Sequence, residues 1–151
     1  MPDDLYERDI LVWSEKQAAL LRRLARGEEL NEAVDWDHVI EEVEDVGLSE
    51  LHGCESHLRQ ALVHLLKLRA DPGSQATAHW RGEVVNFLVE AQSRFSPSMR
   101  QRIDLDRQYR SAIRQFRATG GTFGVPDQCP YTLDDLLDED ADLDTLVAKL
   151  G

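Results

Sequence analysis

A chain of 151 residues, 42% apolar and 30% charged, has the composition of one ordinary folded domain rather than a disordered polymer. A formal charge of -12 disfavours nonspecific binding to nucleic acid or to an anionic bilayer. No run approaches about 18 apolar residues, so no membrane-spanning helix is expected. Cys54 and Cys129 are too few for a disulfide framework and too scattered for a zinc motif. The acidic start Met1-Pro2-Asp3-Asp4 is unlike a signal peptide, and the expected location is the cytoplasm.

The first helix is expected from Asp4 to Arg26, with Tyr6, Ile10, Trp13, Leu20 and Leu24 at helical spacing, an Asp4–Glu7 capping box and a stop at Gly27. A second starts near Asp35 on the stripe Trp36, Val39, Ile40, Val43 and Val46, and ends at Gly47. Ser49 then caps a third, whose face is Leu51, Cys54, Leu58, Leu62 and Leu65, stopped by Asp71-Pro72-Gly73. A fourth, about Gln75 to Arg94, carries Trp80, Val84, Phe87, Leu88 and Ala91. Ser96-Pro97 opens a fifth that runs to Ala118 on Ile103, Tyr109, Ile113 and Phe116, ended by Gly120-Gly121. The segment from Gly121 to Pro130 reads as an ordered loop pinned by Phe123, Val125 and Cys129. Thr132 caps a short helix through Leu133, Leu136 and Leu137, and a last turn carries Leu143, Leu146 and Val147. No strand alternation is present. The expected fold is therefore all-α: one domain over residues 1–151, an antiparallel bundle of about five main helices with a short helical C-terminal extension.

Charge is unevenly spread. From Glu28 to Glu55 there are eleven acidic residues and no lysine or arginine. From Arg94 to Arg117 seven arginines face only Asp104 and Asp106. Internal complementarity accounts for this most simply. The alternative is that the Arg94–Arg117 region receives an acidic protein partner or takes part in a homo-oligomer, with nucleic acid disfavoured by the net charge.

Projection at about 100° per residue brings several polar groups to the margins of the apolar faces. Asp9 shares the side of Tyr6 and Trp13. Glu42 flanks Val39 and Val46, with Glu41 further away. His57 and His64 edge the leucine face, Lys67 follows His64 by three, and Arg81 flanks Trp80. If neighbouring helices bring Asp9, Glu42, His64 and Arg81 together, the bland outcome is a set of ion pairs tying helices. The chemical outcome is a divalent metal held by Asp9, Glu42 and His64, or acid–base catalysis by Glu42, His64 and Lys67, as in a metal-dependent hydrolase or nuclease. The Glu-x-x-His pairs of a helical di-metal site are absent. Arg59-Gln60-Ala61-Leu62-Val63-His64 is similar to the short signature of helical ribonucleases, but its ends diverge by about 140° on a regular helix. No organic cofactor pattern is present.

Several pieces in order carry a family likeness: Tyr6-x-x-Asp9-x-x-x-Trp13, Leu20-Leu21-Arg22, Asp35-Trp36, Glu41-Glu42-Val43, Gly47, His64-Leu65-Leu66-Lys67, Trp80-Arg81, Pro97-Ser98 and Cys129-Pro130-Tyr131. From Tyr6 to about Leu137 the chain resembles the bacterial domain-of-unknown-function family 29. The resemblance implies a helical fold and no agreed activity, and it implies recurring polar positions at Asp9, Glu41, Glu42, His64, Lys67 and Arg81. His79, where serine is usual, and Val125, where phenylalanine is frequent, depart from it. The expected role is a structural or protein-interaction module. The alternatives are the metal-dependent enzyme and an RNA-acting ribonuclease or nucleic-acid-binding regulator.

Overall fold

A computed structural model describes residues 4–122 and 124–151; the expected pin at Phe123 lies outside them. In chain order the elements are α1 (Leu5–Arg8), α2 (Ile10–Ala25), α3 (Trp36–Ala70), α4 (Thr77–Arg94), a 3-10 turn (Pro97–Gln101), α5 (Leu105–Ala118), α6 (Leu133–Leu137) and α7 (Leu143–Ala148). The protein is all-α, with no strand among the described residues. None of these helices is long and apolar enough to cross a membrane. Two compact units are present, the first reaching to Leu48 and the second running from Ser49 to Gly151, and their boundary falls inside α3.

In the first unit, the expected single helix from Asp4 to Arg26 is broken at Asp9. Asp9 takes an extended conformation, and its carboxylate accepts from the Val12 N–H, so it caps α2. The Asp4–Glu7 capping box does not form: Asp4 makes no side-chain cap bond and instead pairs with Arg8. Trp13 and Leu20 are buried as expected, whereas Ile10 and Leu24 are exposed. Gly27 ends the helix with a positive φ of 79°, a conformation that glycine adopts without steric cost.

The largest departure is α3. Gly47 was expected to end one helix and Ser49 to cap the next, yet the helix runs unbroken from Trp36 to Ala70. Gly47 costs a helix only about 1 kcal/mol relative to alanine, and no proline or left-handed glycine interrupts this stretch. At about 100° per residue, Trp36, Ile40, Val43, Gly47, Leu51, Cys54, Leu58 and Leu65 all fall on one stripe. In the second unit this stripe is core, and Cys54, Leu58 and Leu65 are each 0% exposed. In the first unit it is bare: Trp36 is 53%, Ile40 54% and Val43 69% exposed, with Val46 also exposed. The expectation that Trp36 and this stripe would be core is thus corrected. The first unit half-buries a different flank of α3, the one carrying His38, Val39 and Glu42.

The second unit packs around Leu58, Leu62, Leu65 and Leu66 of α3, with Val84, Leu88 and Ala91 of α4 and Tyr109, Ala112 and Phe116 of α5. Trp80 and Phe87 are partly buried against this core. Two helix starts differ from expectation: α4 begins at Thr77 rather than Gln75, and Ser96-Pro97 opens only a 3-10 turn. Asp104 then caps α5 through the Arg107 N–H, and the chain from Arg102 to Asp104 separates the two elements. Thr132 and Asp135 form the reciprocal capping box of α6. The C-terminal segment is held by Leu136, Leu146 and Leu150 in the core and by the Tyr131 hydroxyl, which donates to the Leu146 carbonyl at 2.5 Å.

Candidate functional site

The polar residues singled out from the sequence find separate partners. Asp9 is spent as the α2 cap. Glu42 accepts the Tyr6 hydroxyl at 2.6 Å, which holds the phenol well above its usual range. Glu41 makes no ion pair or hydrogen bond among the described residues, although its charge acts on Tyr6 and His38. Glu42 and His64 lie about six turns apart along α3.

In the second unit, the His64 Nδ1–H donates to the Gln60 carbonyl at 2.7 Å, and its ring lies 5.4 Å from that of Phe87. Burial pushes His64 below the ordinary imidazole value; the bond to Gln60 opposes this, and the Lys67 charge adds to it. Arg81 pairs with Asp144 at 2.8 Å. Arg59 is engaged with Gln108 and Ser56, while His64 is tied to Gln60 and Phe87, so the arginine–histidine pattern does not form one site. No group of three or more His, Cys, Asp or Glu side chains among the described residues is placed to hold a metal. Asp9, Glu42 and His64 are therefore not assembled as a metal centre, and the set Glu42, His64 and Lys67 is not assembled as a catalytic one.

Sequence reasoning missed a constellation in the first unit. Asp35 precedes α3 and its carboxylate accepts two side-chain donors, the Trp13 indole N–H at 3.0 Å and His38 Nδ1–H at 2.7 Å. Its own N–H donates to the Gln17 side chain at 2.8 Å. Tyr6 stacks on the His38 ring at 3.9 Å and meets Trp13 edge-on at 4.9 Å. Asp35-Trp36 was visible as a helix start, but the partners of Asp35 come from α1 and α2, and no local spacing reports that. A cleft of about 310 Å³ opens beside the knot, lined by Trp13, Lys16, Gln17, Glu32, Val34 and His38.

Electrostatics mark this knot as a clasp. His38 holds Asp35 below the ordinary carboxylate value, assisted by Trp13, and Asp35 holds His38 above the ordinary imidazole value. The Asp35 contribution is present above its unfolded value near 3.8 and is lost as pH falls through its lowered folded value. The His38 contribution is present below 6.5 and is lost as pH rises through its raised folded value. Stability of the first unit is thus expected to peak between about pH 4 and 6.5. Asp35→Ala removes the acceptor shared by the Trp13 indole and the His38 ring and strands the indole N–H, with an expected loss of about 2 kcal/mol. Thermal unfolding followed across pH checks both, and a flat profile in wild type would remove the clasp.

The second unit carries two further features. On α5, Arg110, Arg114 and Arg117 lie on one side, opposite the buried Tyr109, Ala112 and Phe116. With Ile113, Val125, Pro126 and Asp127 they line a groove of about 390 Å³, and none of the three arginines makes an ion pair or hydrogen bond among the described residues. On the neighbouring side, α3 and α5 enclose a polar cleft of about 400 Å³ that contains Arg59 and Arg107.

The family model described as "Domain of unknown function DUF29" matches residues 5–141. A crystal structure of an α-helical protein of unknown function from Rhodospirillum rubrum is 36% identical, covers 97% of this chain and 97% of its own, and has a TM-score of 0.73. None of the curated proteins matches the chain.

Proposed function

The chain belongs to the family of the domain of unknown function DUF29, and from that footing we propose that it is a protein-interaction module that self-associates through the first half of α3. The observation that carries this reading is the continuity of the α3 stripe. The same face that buries Leu51, Cys54, Leu58 and Leu65 in the second unit runs on, uncovered, as Trp36, Ile40, Val43 and Gly47. Large apolar groups in one contiguous exposed strip mark an interaction face. Their spacing of four, three and four residues is that of a coiled-coil seam. A second copy is the fitting occupant, since two identical strips related by a two-fold axis bury one another. A cytoplasmic setting is proposed with it, in keeping with two unpaired thiols.

Sedimentation equilibrium of the full chain tests this. Wild type is expected to give a concentration-dependent dimer. The exposed double substitution Ile40→Ser/Val43→Ser should weaken it at least about tenfold while leaving the helical circular dichroism unchanged. Asp37, Glu41 and Glu44 flank the strip, so added salt should strengthen association by screening their repulsion. A monomer at every concentration would overturn the reading.

A second reading rests on the Arg110–Arg114–Arg117 groove. Three guanidinium groups against the single Asp127 carboxylate, beside apolar Ile113, Val125 and Pro126, suit an acidic protein segment with an apolar anchor. Fluorescence anisotropy with a labelled peptide of alternating glutamate and leucine should show binding that weakens with salt. Arg110→Glu/Arg114→Glu should reduce that binding at least about tenfold. Binding of a single-stranded DNA oligomer but not the peptide would favour a nucleic-acid ligand and sink this reading. Salt therefore has opposite signs for the two surfaces.

A further inference from the structure

The polar cleft between α3 and α5 has more hydrogen-bond donors than acceptors to receive them. At its floor lies Gln108, only 5% exposed. Gln108 is held from one side, since its Nε2 donates to Glu55 Oε2 at 3.0 Å. That bond fixes the amide so that its oxygen accepts from Arg59 Nη1 at 3.2 Å. Arg59 Nη2 reaches the Ser56 hydroxyl oxygen at 3.4 Å. The Arg59 guanidinium is therefore oriented by two neutral oxygens, and it has no carboxylate partner among the described residues. Arg107, from the first turn of α5, lines the same cleft and is likewise without an ion pair.

The remaining lining groups add donors. The hydroxyl hydrogens of Ser56 and Ser111 are given to no acceptor among the described residues, and His52 completes the rim. Glu55 is the one carboxylate in the cleft, and one of its oxygens is already taken by Gln108. Two fixed positive charges thus face one negative charge, leaving a surplus of guanidinium N–H and O–H donors. A ligand that satisfies them must be anionic and rich in acceptor oxygens. Planar guanidinium forks match tetrahedral oxyanions, and phosphate is the one they most often hold in proteins. The cleft volume of about 400 Å³ exceeds what bare phosphate fills and lies in the lower range of small-ligand pockets.

We propose that this cleft is a binding site for a phosphomonoester group, with Arg59 and Arg107 taking the phosphate oxygens and Ser56 and Ser111 donating their hydroxyls. Gln108 is a positioning residue, buried and aimed by Glu55, and it sets the plane of the Arg59 guanidinium. The site uses neither the α3 strip nor the Arg110–Arg114–Arg117 groove, so it stands or falls independently of both interaction surfaces.

The test is titration of the isotopically labelled full chain, followed by amide NMR shifts, with phenyl phosphate, a phosphoserine hexapeptide, its unphosphorylated counterpart and sodium acetate. Phenyl phosphate is expected to move amides around residues 52–59 and 107–111 in a saturable way, with acetate leaving them in place. Arg107→Gln, at an exposed position, should keep the spectrum's dispersion and weaken binding at least about tenfold. Arg59→Lys keeps the charge but loses the fork, and should weaken binding by a similar factor. Saturation by the phosphopeptide alone would make the source a modified protein rather than a free ester, with the same phosphate chemistry retained. The proposal is overturned if neither phosphate compound saturates these shifts below about 10 mM, if acetate or the unphosphorylated peptide is equally effective, or if both arginine variants bind like wild type.

Discussion

Leu58→Ala is expected to lower the stability of the second unit by about 3 kcal/mol, among the larger costs of any single truncation in the chain. Leu58 is fully buried in the middle of α3, with Cys54, Ala61 and Leu62 beside it on the same helix and α4 and α5 contributing the rest of the core. Three missing carbons remove transfer free energy, and they leave a cavity that side chains fixed on three separate helices cannot close. For a chain of this length the midpoint of thermal unfolding should fall by about 6–12 °C. Leu58→Met, which conserves volume, should cost under about 1.5 kcal/mol. The informative control is Val43→Ala, on the same stripe of the same helix but exposed. It should change the stability of the monomer by no more than about 0.5 kcal/mol. Equal losses at the two positions, read by urea unfolding at low protein concentration, would show that the first half of the stripe is covered within the monomer.

Gly121→Ala is the second large effect, and its cause is steric. A Cβ at this position would lie 2.4 Å from two atoms of the Phe116 ring. That ring is buried in the core and cannot turn aside without leaving it. Gly121 is also tied to Phe116 by its N–H, which donates to the Phe116 carbonyl at 3.0 Å and closes the end of α5. Either the ring moves or the bond breaks, and overpacking of this kind costs about 1–3 kcal/mol. The double variant Phe116→Leu/Gly121→Ala should be less destabilised than the sum of its parts, because the smaller side chain vacates the space. Strict additivity would argue against the clash. The neighbouring Gly120, at φ 94°, should also resist alanine, but through backbone strain, and changing Phe116 would not relieve it.

How far the sequence was legible follows from the range of the forces involved. The helical class, the C-terminal ends of α3 and α5, the Thr132 cap and the buried Leu51–Leu65 face could all be read, because helical periodicity and capping are settled within a few residues. Gly47 was misread for a related reason. Glycine is only mildly costly inside a helix, and whether it ends one depends on whether the chain beyond it has something to pack against. The break at Asp9 was missed because aspartate at that position suits both a helix flank and a cap.

The candidate site was less legible. Asp9, Glu42, His64 and Arg81 were expected at the edges of apolar faces, but each satisfies itself with a different neighbour, and Asp9 does so as a cap outside the helix. Tyr6, Asp144 and Gln60 were not among the expected partners. Asp35, whose role is clearest, looked like an ordinary helix start.

By itself the sequence determined that this chain is helical and which side of each helix is apolar, since those properties follow from local spacing and the cost of exposing apolar surface. Only the tertiary structure decided which apolar sides are used. Leu58 and Val43 carry the same kind of signal on the same stripe, yet one is surrounded and the other bare. Helix periodicity specifies that a face wants cover, whereas cover itself depends on which other helices the chain has available to supply it.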